Sequence, residues 1–330
     1  MMEYEQNRPF LTGQVIDGPG QEQPTEYDTR PMRRCFSRLG LAYVVYVVVS
    51  TLSQLAAVLL IEEPQGRLEW NLWMMTVTLS MYPLAFLLFY LILRNMPKAR
   101  QIWKEPMTVG RYLGTFVVCM GITYIGNFIG QILMWFVGKV LGTPIYNDLD
   151  LLLDSMDPWL ILIVVVIAAP IIEELIFRKM LLDRIAGYGQ ITSLFMSGLI
   201  FGLAHGNFYQ FFYAFALGVI FAHVYLRTGK VIYTIGLHML INFCGSFVTL
   251  YLVDIITRSE AIGILVAITE LMVIFVLMGL AVFLLIYYRK EILLYSGPPK
   301  TSKKKWFLAV FINAGMILYL LLTTSIFLFM

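Results

Sequence analysis

Charge is what this sequence has least of. Only 14% of its 330 residues are Asp, Glu, Lys or Arg, where soluble domains carry about a quarter, so an ordinary soluble domain is excluded. Cysteine is scarce too. Cys35, Cys119 and Cys244 are odd in number and fall in no CxxC spacing, which supports neither a disulfide framework nor a thiolate metal site. No HExxH zinc motif occurs. The apolar runs do not alternate with polar residues, which argues against a membrane β-barrel. The first 38 residues lack an apolar core of the signal-peptide kind and are expected to form a flexible cytosolic tail. The net charge of +3 says little by itself, and no nucleic-acid partner is expected.

What is present is long apolar sequence, with hydrophobic residues making up 59% of the chain. The expected fold class is all-α, a polytopic transmembrane helical bundle. With about 17–25 apolar residues required per span, about nine spans are expected, at 39–61, 71–93, 112–137, 158–178, 190–206, 209–227, 231–252, 262–288 and 306–330. Every second loop is basic: Arg30, Arg33, Arg34 and Arg38; then Arg94 to Arg111; Lys179 and Arg184; Arg227 and Lys230; and Arg289 to Lys305. The alternate loops are acidic or sparse, as in Asp148, Asp150, Asp154 and Asp157. By the positive-inside rule the N-terminus is cytosolic, in a multi-pass protein of the cell membrane. The expected organisation is a tail over 1–38, three helices over 39–157, a core over 158–252 and two C-terminal helices over 253–330.

Within these spans lie Glu173, Glu174, Arg178, His205, His223, His238 and Glu270. A charged side chain at a helix centre costs about 2.5–3.5 kcal/mol on insertion scales, so each such group is a functional candidate. All three histidines fall between 205 and 238. In EELIFR, residues 173–178, Glu174 and Arg178 are four apart and can pair on one helix face. Glu173 is turned about 100° away, and a carboxylate left unpaired in low dielectric becomes a base useful near neutral pH. The bland alternative is that all three residues snorkel to water at the cytosolic boundary. In FGLAH, His205 is either a working imidazole or a helix cap bonded to a nearby carbonyl. In HMLIN, His238 and Asn242 share a face, able to donate to one oxyanion or to act as interhelical glue. His223 is expected to face headgroups, and Glu270 to line a packing face or cavity.

EExxxR, FxxxH and HxxxN in this order on successive hydrophobic segments resemble the CAAX protease and bacteriocin-processing (CPBP, or Abi) family, over about 158–252. The resemblance implies an intramembrane endopeptidase. Glu173 with His205 would activate water, His238 and Asn242 would stabilise the oxyanion, and Glu174 and Arg178 would support them. The implied substrate is a membrane-bound protein or peptide, prenylated or not. Glu173, His205 and His238 would also match a zinc site with two histidines and a glutamate, so Zn2+ is a candidate cofactor, although a metal-free glutamate mechanism is the preferred expectation. The competing classes are a non-catalytic scaffold, such as a bacteriocin-immunity protein, and a proton-coupled transporter. One mismatch stands out: Glu173 and His238 fall roughly 10 Å into their spans, His205 roughly 22 Å into its own.

Overall fold

A backbone buried in hydrocarbon must satisfy its own N–H and C=O groups, and a helix does so within one segment. In a computed structural model, which describes residues 28–62, 64–98, 104–258, 260–292 and 301–328, every regular element among the described residues is helical. The long elements are α1 (Arg30–Leu60), α2 (Arg67–Leu93, broken at Met81 and Tyr82), α3 (Val109–Leu141), α4 (Asp148–Asp154), α5 (Pro158–Tyr188) and α6 (Gln190–Ala204). They are followed by α7 (Phe208–Thr228), α8 (Val231–Thr257), α9 (Glu260–Tyr287), α10 (Lys303–Val310) and α11 (Ala314–Leu328). Most of the expected tail, residues 1–27, lies outside the described residues, whereas 30–38 already belong to α1.

Among the described residues, seven helices are long and apolar enough to cross a membrane: α1, α2, α3, α5, α7, α8 and α9. The pair α10 and α11, bent by 70°, would make an eighth. The expectation of nine is corrected at two places. The run 190–206 becomes α6, whose 15 residues reach only about 22 Å at 1.5 Å per residue, short of a hydrocarbon core about 30 Å thick. The run 306–330 is interrupted at Asn313. Its amide nitrogen donates to the Ala309 and Val310 carbonyls, and its oxygen accepts from the Met316 N–H. One buried side chain thus closes α10 and caps α11. The span expected to end at residue 178 also runs on to Tyr188, so Glu173 sits near the middle of α5, not at its end.

α6 and α7 form a hairpin packed on α5 and α3; α8 lies against α5, α3 and α7; α1 packs on α2 and α11. Two close approaches depend on glycine. A Cβ at Gly130 of α3 would sit 2.6 Å from the Phe208 carbonyl oxygen of α7, and one at Gly126 would meet the Tyr213 backbone. At the other contact, side chains at Gly40 of α1 and Gly315 of α11 would collide with each other's helix backbone. Small residues give such helices their van der Waals contact in place of a hydrophobic drive. α9 rests on α3 and on the C-terminal part of α8, and presents Leu265, Met272, Phe275 and Val276 outward.

Candidate active site

The site begins with a proline. Pro170 lies within α5, where it has no N–H to give, and the turns around it widen. Leu162–Ala168 and Leu175–Met180 are π-helical, a form concentrated at functional sites. In the first wide stretch the Ala169 N–H bonds the Val164 carbonyl, five residues back. The next carbonyl in that register, Val165, would need the N–H of residue 170, which is absent. Asn242 of α8 fills the place, its Nδ2 donating to the Val165 oxygen at 2.9 Å. The interhelical bond foreseen for Asn242 is therefore formed, and it uses one of the amide's two donors.

One turn beyond Pro170 stand the two glutamates. Glu174 is fully buried and meets His238 on one side, Oε1 to Nδ1 at 3.0 Å. On the other it meets the buried guanidinium of Arg178, Oε2 to Nε at 3.1 Å. The expected pair exists, and both members have zero exposure, so the snorkelling alternative fails. The second contact is close but off-axis, and no Arg178 nitrogen makes a hydrogen bond among the described residues. The guanidinium lies instead over the rings of Phe201 (4.1 Å) and Phe221 (5.1 Å), an arrangement worth about 2 kcal/mol or more when desolvated.

Glu173 is distinct from that pair. Its side chain keeps 22% exposure, and its Oε2 lies 3.9 Å from His238 Nε2, a gap of the size a water bridges. Tyr82, buried at the break in α2, directs its hydroxyl at the Glu173 carboxylate. His205 terminates α6, and its Nδ1 bonds the Phe201 carbonyl at 2.7 Å. A carbonyl only accepts, so the neutral ring carries its proton on Nδ1 and leaves Nε2 with a lone pair. The helix-cap alternative for His205 is thus realised without blocking its use as a base. The imidazoles of His205 and His238 both stand edge-on to the Phe201 ring, at 4.8 and 5.7 Å. That resolves the mismatch in depth, because the short α6 carries His205 to the level of His238.

Phe201 and Phe221 are the residues that reading the sequence missed. In the sequence Phe201 is only the first letter of FGLAH, yet it touches Arg178, His205, His238 and Phe177. Its spacing of four from His205 was the available signal. His223 is half-buried on α7, and its Nδ1 has no hydrogen-bond partner among the described residues. Glu270 is half-buried on α9.

The candidate zinc ligands Glu173, His205 and His238 do not form a tripod. Zinc needs its nitrogen and oxygen ligands about 2.0–2.2 Å from one point. Among the described residues no three His, Cys, Asp or Glu side chains are arranged to hold a metal ion. The Nδ1 of each histidine is committed to Glu174 or Phe201, a partner of the kind that leaves Nε2 available to a metal, so it is the spacing of the three side chains, and not the histidines' partners, that falls short of a tripod.

Residues 155–244, just over a quarter of the chain, match the family described as Type II CAAX prenyl endopeptidase Rce1-like. The Putative membrane peptidase YdiL of Bacillus subtilis (strain 168) is 34% identical over 87 residues, 25% of this chain and 34% of that protein. The chain thus spans about a third of the length of the curated relative it matches. No solved structure matches. The matched stretch runs from the end of α4 into α8 and contains Glu173, Glu174, Arg178, His205, His238 and Asn242, while α1–α3 and α9–α11 lie outside it. The segment that buries the Glu–His–Arg cluster is therefore similar, as a domain, to the Type II CAAX prenyl endopeptidase Rce1-like family, and it sits in a chain with seven or more membrane-length helices.

Proposed function

We propose that the protein is an intramembrane endopeptidase, hydrolysing a peptide bond of a membrane-associated or lipid-modified protein or peptide by glutamate-activated water. One observation carries the reading. Arg178, Glu174, His238 and Glu173 form a buried chain whose last carboxylate is the accessible one, within a segment similar to a peptidase family.

The charges suit the task. With Glu174 accepting from Nδ1, His238 has a hydrogen on Nε2 only as an imidazolium. Two carboxylates, Glu173 and Glu174, then balance two cations, Arg178 and His238, and low dielectric favours a neutral set. In this state Glu173 is a free base and His238 a charged donor. Glu173 takes one hydrogen from a water held also by the Nε2 lone pair of His205, and the water oxygen adds to the carbonyl carbon. The oxyanion accepts from His238 Nε2–H and from the second Asn242 N–H, the first being used on Val165. Glu173 then returns its proton to the amide nitrogen, the C–N bond breaks, and a carboxylic acid and a free amine leave. Oxyanion donors of this kind are worth about 10²–10³ in rate each.

The reading carries an orientation. The basic ends of α1 and α10 meet, with Arg30, Arg33 and Lys305 around one cavity, which supports putting both on the cytosolic face and the N-terminus inside. The assignment to the cell membrane goes with it. The test is reconstitution with membrane-tethered peptides, half of them prenylated, and mass spectrometry of the products. Cleavage by the wild-type protein and none by Glu173→Gln at equal folding supports the reading. Cleavage at the same bonds and rates by both proteins overturns it.

A further inference from the structure

α2 and α5 run side by side in one direction and are tied at both ends. At the start, Arg67 and Asn71 donate to the carboxylate of Asp157, the residue that precedes α5. At the finish, Arg184 of α5 donates from Nε and Nη2 to the Leu93 carbonyl, at 3.3 and 2.8 Å. The register between the ties is constant. Asp157 follows Arg67 by 90 residues, and Arg184 follows Leu93 by 91. Glu173 follows Tyr82 by 91, so two helices rising about 1.5 Å per residue bring this pair to one level. Packing agrees: the half of α2 before its break touches Leu162–Ala168, and the half after it touches Leu175–Met180. The break therefore stands opposite Ala169–Glu174.

Pro83 makes the break, because proline has no N–H to give and restricts the residue before it. The Tyr82 N–H turns to the Leu79 carbonyl, three residues back, at 3.2 Å. The Met81 sulfur accepts from Gln54 Nε2 at 3.6 Å, which holds the break against α1. Tyr82 itself is buried, and its hydroxyl faces the Glu173 carboxylate. Residues 67–93 lie outside the stretch that matches the peptidase family. An ionised carboxylate offers about four acceptor positions, so a bond from Tyr82 leaves others for water. A hydrogen bond onto a charged group is roughly twice as strong as a neutral one, enough to select one side-chain rotamer of a glutamate.

We propose that Tyr82 is a positioning residue for Glu173: its hydroxyl donates to the carboxylate and fixes the rotamer whose remaining lone pairs face His238 and the reacting water. The proposal rests on the reading of Glu173 as the base. α2, strapped to α5 at both ends, thus supplies from outside the family-like segment a part of the site.

The experiment uses the full chain in nanodiscs and compares Tyr82→Phe with Tyr46→Phe. Tyr46 of α1 is equally buried, with its ring on Phe89 and Phe177, and serves as the control. The first readout needs no turnover: infrared difference spectra, with and without Glu173→Gln, isolate the Glu173 carboxyl band. Tyr82→Phe is expected to shift that band, and Tyr46→Phe to leave it in place. The second readout is cleavage of a membrane-tethered peptide per folded molecule. Tyr82→Phe is expected to lower kcat roughly tenfold with KM within about twofold, as loss of orientation without loss of substrate contact. If the carboxylate merely satisfies a buried hydroxyl, Tyr82→Phe lowers the unfolding temperature and leaves kcat unchanged, which would overturn the proposal. An unmoved band in Tyr82→Phe, or equal shifts and losses in Tyr46→Phe, would overturn it too. Absence of cleavage by wild type would count against the peptidase reading alone, since the band is read without turnover.

Discussion

α5 and α9 are nearly equally apolar, and the protein uses them in opposite ways. In α5, 44% of the most apolar window is buried inside the protein; in α9 the figure is 6%. The buried helix carries Glu173, Glu174 and Arg178, and neighbours on α6, α7 and α8 answer their charges. The exposed helix carries Glu270 and otherwise offers apolar side chains outward. Hydropathy alone marks both as spans, and only the arrangement of polar partners separates a working helix from a lipid-facing one.

The sharpest way to break this comparison is at Arg178. Arg178→Met leaves Glu174 buried with His238 as its remaining partner, and removing one member of a buried pair costs about 3–5 kcal/mol. Glu174→Gln combined with Arg178→Met should cost less than the sum of the single changes, because the charges leave together. Unfolding in mild detergent measures both, and additive losses would mean the pair is not coupled.

A smaller effect is expected at the Pro170 relay. Asn242→Ala should cost about 1–3 kcal/mol by leaving the half-buried Val165 carbonyl without its partner. In a Pro170→Ala background residue 170 regains an N–H, and the same change should cost about 1 kcal/mol less. An unchanged cost would show that Asn242 does not stand in for the missing N–H. Smaller still, Glu270→Gln on α9 should shift stability by no more than about 0.5 kcal/mol. Exhaustive chelation is expected to leave cleavage unaltered; loss of activity restored by zinc would mean that the side chains rearrange into the tripod they do not now form.

Much of the site was legible in residue spacing. Glu174 and Arg178 pair at four apart, Glu173 stands off that pair, and His238 and Asn242 share the face of α8 turned to α5. What misled was the meaning of charge at the edge of an apolar run. Arg178 reads as the end of a span, but the helix continues through the buried Leu181, Leu182 and Ile185, since charges that find partners need not reach water. The span count failed for a related reason. Asn313 reads as one polar residue in an apolar run, and its power to end one helix and start another depends on carbonyls freed only in three dimensions. The part played by Phe201 depends on α5, α6 and α8 converging, which no local spacing reveals. The ligand-like set of Glu173, His205 and His238 was visible as composition but is not a metal tripod in the fold.

The central claim is that the carboxylate of Glu173, and not simply any intramembrane glutamate, activates the water. Its most direct test is single-turnover cleavage of a membrane-tethered peptide by Glu173→Gln and Glu270→Gln, compared at matched unfolding temperature. The account expects Glu270→Gln to stay within about twofold of wild type, and Glu173→Gln to lose at least about 10²-fold, the scale of a positioned general base. Equal rates for the two variants, or a greater loss at Glu270, would contradict it.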